Sequence, residues 1–130
     1  MKVALFGGTG FVGSYITDEL LEHKHKPKLL VRENSTKKLL DADKCDIIEG
    51  DLSNYEALKK LIKSADVVIY SIGLVREFPH RGITFQETQF EGVKQTVDLA
   101  AELNIKRYIL ISANGAKLDG TKYQSTKYLA

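Results

Sequence analysis

The sequence predicts an α/β fold: a doubly wound sheet of five parallel strands, ordered 3-2-1-4-5, with helices on both faces. Three observations predict it. Short apolar runs rich in β-branched residues alternate with longer stretches of helical periodicity along 130 residues. The first run, Val3 to Phe6, is continuously apolar, which suits a central strand covered on both faces. It leads straight into Gly7, Gly10 and Gly13 at three-residue spacing, and then into a helix with Val12, Ile16 and Leu20 on one face.

Each glycine of that turn has a separate physical task. The first lets the chain turn sharply, the second lets backbone N–H groups approach a pyrophosphate with no Cβ in the way, and the third lets the helix pack closely on its strand. The helix N-terminus adds a positive pole. A nucleotide-binding start is therefore expected, with Gly7, Thr9, Gly10, Phe11, Val12 and Gly13 as its loop residues.

Composition bounds the remaining possibilities. One domain over residues 1–130 is expected, with hydrophobic residues at 43% and charged residues at 28%, ordinary for a globular protein. A formal net charge of +2 argues against a polyanionic partner, so nucleic acid is not implied. The single cysteine, Cys45, excludes an intrachain disulfide and a cysteine metal cluster and points to the cytoplasm. No apolar run approaches the roughly 20 residues that span a bilayer.

After the first helix, His23-Lys24-His25 reads as a solvated helix end rather than a metal site, since no third ligand is near in sequence. Lys28 to Arg32 reads as the second strand. At its end a nucleotide-binding unit places the side chain that meets the adenosine ribose. Arg32 stands there, and a guanidinium can hold the additional phosphate of NADP(H) in a forked geometry. NADP(H) is the preferred cofactor and NAD(H) the alternative, because the adjacent Glu33 could face the ribose instead. A short helix is expected around Leu39 and Leu40, and a third strand from Cys45 to Glu49. Asp51, followed by Leu52, either accepts from an adenine amino group or caps the next helix together with Ser53. That helix carries Leu58, Leu61 and Ile62 at helical spacing.

Asp66 to Ile72 forms the fourth strand, ended by Ser71, Ile72 and Gly73, whose small side chains leave room for a ligand. In a doubly wound sheet it lies beside the first strand, where the cofactor crevice opens. The loop Arg76 to Gly82 hangs over that crevice, either binding an anionic or aromatic group through Arg76, Phe78, His80 and Arg81 or simply solvated. A long helix is expected from Thr84 to Asn104, with Gly92 marking close approach to the sheet. Arg107 to Ile111 reads as the fifth strand, with Ser112 at its C-terminal end. Tyr123 and Lys127, four apart on the last helix, share a face. A lysine ammonium beside a phenol favours the phenolate, and a serine hydroxyl can orient a carbonyl, so the trio suits hydride transfer with tyrosine as acid or base.

Together these residues resemble the short-chain dehydrogenase/reductase superfamily, in the extended and atypical branches that include NAD(P)-dependent epimerases, dehydratases and NmrA-like proteins. Gly7, Gly10 and Gly13 look like its cofactor loop, Asp51-Leu52 like its adenine-contacting pair, and Ser112, Tyr123 and Lys127 like its catalytic trio. Within it, GLVREFPHRGITFQ, EGVKQTV, ISANGA and GTKYQSTKYLA are similar to the nucleotide-binding accessory subunit of respiratory complex I and its bacterial relatives. The resemblance implies a Rossmann-type fold that binds NADP(H). It also implies an oxidoreductase or epimerase acting on a small-molecule carbonyl or hydroxyl, or else a non-catalytic sensor or accessory subunit docked to a larger complex. Two departures stand out. Gln89 replaces the asparagine of many extended members, and the short interval from Ser112 to Tyr123 disfavours a sugar nucleotide. Family relatives continue beyond their tyrosine helix, and Tyr108 to Ile111 carries no proline or charge to protect a sheet edge. The chain is thus expected to be the N-terminal part of a longer protein, and self-association through the fifth strand is expected of the isolated piece.

Overall fold

A computed structural model of the protein describes residues 1–33, 35 and 41–130; the expected short helix around Leu39 and Leu40 lies outside the described residues. The apolar run Val3–Phe6 is buried throughout and lies in β1 (Lys2–Phe6), the middle strand of the sheet. Strands β2 (Lys26–Val31) and β4 (Val67–Tyr70) flank it in parallel. β3 (Asp46–Glu49) and β5 (Tyr108–Leu110) form the two edges, giving the order β3-β2-β1-β4-β5. This is the predicted Rossmann-type topology. Because the strand order reverses between β1 and β4, a crevice opens at the C-terminal strand ends.

The strands differ at their ends from the sequence expectation. β2 begins at Lys26 rather than Lys28 and so contains Pro27, which pairs with Val3 of β1. A proline is tolerated there because β3 joins the ladder only at Lys28. Arg32 falls just past the strand, and Ser71 and Gly73 fall just past β4.

Each sheet face has its own core. On one, α2 (Tyr55–Ile62) and α3 (Gly92–Glu102) bury Leu58, Leu61, Ile62, Val93 and Leu99 against Ala4, Phe6, Val68 and Tyr70. On the other, α1 (Phe11–Glu22) covers Leu5, Leu29 and Val31, with Ile16 packed against them. The buried positions of α1 are Gly13 and Thr17, while Val12 is exposed, which corrects the expected Val12, Ile16, Leu20 stripe. The lack of a side chain at Gly13 causes the difference: the helix approaches the sheet on that residue and turns Val12 outward.

Two helix boundaries also differ. The expected helix from Thr84 to Asn104 begins with a widened π-turn, Gln86–Glu91, before α3 proper. It ends by Asn104, which adopts a left-handed φ of 58°. Helix α2 is capped by Asn54, whose side chain accepts from the Ala57 N–H at 3.0 Å, and not by Asp51 or Ser53. The last helix, α4 (Lys122–Leu129), opens with a capping box between Thr121 and Gln124. Among the described residues no helix is long and apolar enough to cross a membrane.

Candidate functional site

The crevice is a cleft of about 810 Å³. Its floor is the β1–α1 turn, and backbone geometry dictates the residues there. Gly7 has a φ of +85°, and a Cβ on it would stand 3.0 Å from the Ser71 carbonyl carbon. A Cβ on Gly13 would fall 2.0 Å from the Gly7 oxygen, so no side chain fits where helix and turn cross. Gly10 differs: its nearest obstacle is the Gly7 oxygen at 3.3 Å, and it lines the cleft. As N-cap of α1 it offers no side chain to the helix, so the first-turn N–H groups stay open to an anion.

Of the other expected cofactor residues, Thr9, Arg32, Asp51, Leu52, Ser71 and Gly73 line the cleft. The side chains of Phe11 and Val12 are exposed and lie outside it, so these two enter the set only through their backbone N–H groups. Arg32 lines the cleft and Glu33 does not. Asp51 holds Ser53 through its N–H at 2.8 Å and its hydroxyl at 2.6 Å, and these bonds, with Arg32 nearby, hold its carboxyl below the usual carboxylate range. Ser71 Oγ is buried with no hydrogen-bond partner among the described residues, although it sits on the cleft wall. An orphaned hydroxyl is costly unless something bonds it. The open helix terminus, the Gly7–Gly13 cradle and this hydroxyl are the donors and the space that a dinucleotide pyrophosphate and ribose require, and the residues present fit such a group.

Gly73 links the cleft to the expected catalytic residues. A Cβ there would lie 3.6 Å from Lys127 Nζ and 3.9 Å from Gln89 Oε1. Lys127 is only 6% exposed, and its ammonium donates to the Ile111 carbonyl at 3.0 Å. Burial lowers its pKa from the ordinary lysine value. One turn earlier, the Tyr123 ring meets Phe85 edge-on with centroids 5.7 Å apart. Ser112 is exposed just past β5, directly after the carbonyl that holds Lys127. Among the described residues no hydrogen bond joins the side chains of Ser112, Tyr123 and Lys127; the Ile111 carbonyl, next to Ser112, holds Lys127, and none of the three lines the cleft.

The far wall of the cleft includes Arg81, Glu87, Thr88, Glu91 and Gln95. Of these, only Arg81 was foreseeable, from its loop over the crevice. The rest come from the π-turn and the start of α3, where the sequence shows an ordinary helical pattern. His23 Nδ1 donates to the Glu19 carbonyl, and His25 Nδ1 lies beside the N-terminal amine.

A family model described as NAD(P)H-binding matches residues 7–128. Ceramide reductase of Caulobacter vibrioides is 30% identical over 115 residues, which cover 88% of this chain and 35% of that protein. Cinnamoyl-CoA reductase 1 of Arabidopsis thaliana is 31% identical over 121 residues, covering 88% of this chain and 34% of that protein. The isoflavone reductase homolog A622 of Nicotiana glauca is 38% identical over 80 residues, or 55% of this chain and 26% of that one. The chain thus spans about a third or less of the length of these curated relatives. Among solved structures, Pen from Bacillus thuringiensis superposes with a TM-score of 0.83 at 21% identity, covering 98% of this chain and 43% of that one. WbmH of Bordetella bronchiseptica, solved in complex with NAD+, gives 0.79 at 18% identity, covering 98% and 49%. At such identities the two structures speak for the fold. The glycine loop, the crevice at the strand ends and the family match fall on the same residues, and the chain belongs to the NAD(P)H-binding family of Rossmann-type domains.

Proposed function

We propose that this chain is the dinucleotide-binding part of an NADP(H)-dependent oxidoreductase acting on a small-molecule carbonyl or the corresponding hydroxyl. The observation that carries the reading is Lys127, buried with a single carbonyl partner beside Gly73 on the cleft wall and one turn from Tyr123. The first-turn N–H groups of α1 would hold the pyrophosphate, Arg32 would bind a 2′-phosphate, and Ser71 Oγ, beside Gly7, would bond the same dinucleotide. When bound, the nicotinamide supplies a hydride donor or acceptor. Tyr123 moves the proton to or from the substrate oxygen, Ser112 orients that oxygen, and Lys127 holds the nicotinamide ribose and balances the phenolate charge.

Calorimetric titration with NADPH and NADH, on the chain and on Arg32→Asp, tests the binding half. Arg32→Asp is expected to weaken NADPH roughly tenfold to hundredfold, the loss of a charge-assisted hydrogen bond, and to affect NADH far less. Equal affinities of the two cofactors for both proteins would refute the assignment of Arg32. In the full-length protein, Tyr123→Phe is expected to abolish turnover with cofactor affinity retained. A purely nucleotide-carrying subunit, the reading implied by the complex I resemblance, would be indifferent to that change.

A further inference from the structure

Two arginines line the cleft, and the strand order places them on either side of the glycine turn. Arg32 follows β2, on one side of β1. Arg81 belongs to the segment that leaves β4, on the other side, where the Ser71 backbone abuts Gly7. The 2′-phosphate assigned to Arg32 leaves Arg81 without a role.

The segment that carries Arg81 is closed on itself. Phe78 and Ile83 pair as an antiparallel bridge, the Phe78 N–H donating across it at 2.7 Å and the Ile83 N–H at 3.2 Å. Within the bridge, Pro79–Arg81 make a tight turn in which the Arg81 N–H donates to the Phe78 carbonyl at 2.9 Å, and Gly82 ends it at a left-handed φ of 66°. Two side chains tie this hairpin to the body of the fold. Glu77 Oε1 accepts from the Phe85 N–H at 2.9 Å, and Gln89 Oε1 accepts from the Leu74 N–H at 3.3 Å.

The hairpin delivers one of its three potential cations to the cleft. The Arg76 guanidinium lies 5.5 Å from the centroid of the Phe78 ring and is engaged with that face. Arg76 and His80 stay outside the cleft lining, whereas Arg81, Gly82 and Ile83 form part of it. Among the described residues the ion pairs are His23–Glu19, Lys44–Asp41 and Lys94–Asp98, and Arg81 is in none of them. The two carboxylates on its wall have other partners: Glu87 accepts from the Thr84 hydroxyl at 3.3 Å and Glu91 from the Gln86 amide at 3.1 Å.

We propose that Arg81 is a second cationic contact for the bound dinucleotide, taking a pyrophosphate oxygen from the far wall while the first-turn N–H groups of α1 take the pyrophosphate from the floor. The inference rests on the dinucleotide-binding reading above and adds to it a residue outside the glycine turn. A guanidinium offers a fork that matches phosphate oxygens, and a loop already closed loses little freedom when it binds. The pyrophosphate is the anion that fits the position. It lies over the glycine turn, which shares the cleft with Arg81, whereas Ser112, Tyr123 and Lys127, where a substrate would react, lie outside the cleft lining.

The test is calorimetric titration with NADPH and with NADH, in phosphate-free buffer, of the wild-type chain, Arg81→Gln and His80→Gln. Arg81→Gln is expected to weaken both cofactors roughly tenfold, because both carry the pyrophosphate. That pattern differs from Arg32→Asp, which separates the two cofactors. His80→Gln, on the same hairpin and off the cleft, is expected to bind both as the wild type does, and circular dichroism checks that both variants are folded. Wild-type affinity for both cofactors in Arg81→Gln overturns the proposal, as does a loss confined to NADPH or an equal loss in His80→Gln. If the wild-type chain binds neither cofactor, the oxidoreductase reading fails, and inorganic pyrophosphate, followed through the amide NMR shifts of the glycine turn, decides for Arg81 separately. Pyrophosphate binding that Arg81→Gln weakens sustains the proposal; binding indifferent to the change, or none, overturns it.

Discussion

Gly10→Ala and Gly13→Ala differ by one methyl each, three residues apart, and the structure assigns them opposite consequences. Gly10 has φ −83° and ψ 172°, a conformation open to alanine, and its added Cβ would find only the Gly7 oxygen at 3.3 Å. Alanine is a poorer N-cap than glycine by roughly 0.5–1 kcal/mol, but it also restricts the unfolded chain, which returns about 0.4–1 kcal/mol. The two offset, and stability should stay within about 1 kcal/mol of wild type. Binding should not. The methyl stands in the cleft, where the phosphate must approach the backbone, and losing one charged hydrogen bond weakens binding roughly tenfold to hundredfold. At Gly13 the Cβ would fall 2.0 Å from the Gly7 oxygen, 2.7 Å from its carbonyl carbon and 2.9 Å from the Gly8 Cα. All three are backbone atoms, so no side chain can yield and α1 must retreat. The loss should reach or exceed about 3 kcal/mol, the upper end for overpacking. Urea denaturation followed by circular dichroism should then show a midpoint lowered by about 1 M or more for Gly13→Ala and nearly unchanged for Gly10→Ala. Fluorescence titration with NADPH supplies the second axis. Wild-type affinity in Gly10→Ala, or a wild-type midpoint in Gly13→Ala, would refute this division of labour.

Two further outcomes follow from the packing. Asn54→Ala removes the α2 cap and should lower stability by about 1 kcal/mol in urea melts, whereas Ser53→Ala, whose hydroxyl is bound to Asp51 instead, should leave α2 much less affected. At alkaline pH the buried tyrosines act against the fold: burial pushes Tyr108 up to about 12 and Tyr70 higher still, so above pH 10 the unfolded chain loses their protons first. The stability present below pH 10 is lost as the pH rises toward 12, by roughly 2–3 kcal/mol for Tyr108, and thermal melts of Tyr108→Phe should show a shallower alkaline decline than wild type.

The parts of this fold legible in the sequence rest on local signals. Apolar runs bounded by turn residues announce strands, and glycines between a strand and a helix announce a phosphate cradle, so the strand order and the floor of the cleft could be read in advance. Where several residues could serve the same local purpose, the sequence was ambiguous. Asp51, Ser53 and Asn54 are all competent caps, and Asp51 and Ser53 bond each other while Asn54 takes the Ala57 N–H. The stripe of α1 departs from simple helical spacing because Gly13 lets the helix come close enough to the turn that Val12 faces outward. The π-turn was invisible because QETQFE has unremarkable helical spacing and the contacts that widen it come from Tyr70, on a strand. In sequence Gln89 stands out only as a departure from asparagine; its partners lie 15 and 37 residues away.

The cleft and the corner that carries Tyr123 and Lys127 are therefore held by different physics. At the glycine turn the shape follows from side chains that are missing, at Gly7, Gly10 and Gly13. The corner behind Gly73, outside the cleft lining, is held instead by particular side chains meeting across the fold: Phe85 on Tyr123, Gln89 on Thr126, Lys127 on the Ile111 carbonyl. A lysine buried against one neutral carbonyl, with no carboxylate acting on it among the described residues, is a net burden on folding, because desolvating an ammonium outweighs a single hydrogen bond. A methionine would fill the same space at less cost. On the proposed oxidoreductase reading, an ammonium kept there, one turn from a phenol and beside Gly73 of the cleft wall, has its physical justification in the charge it would present to a bound dinucleotide.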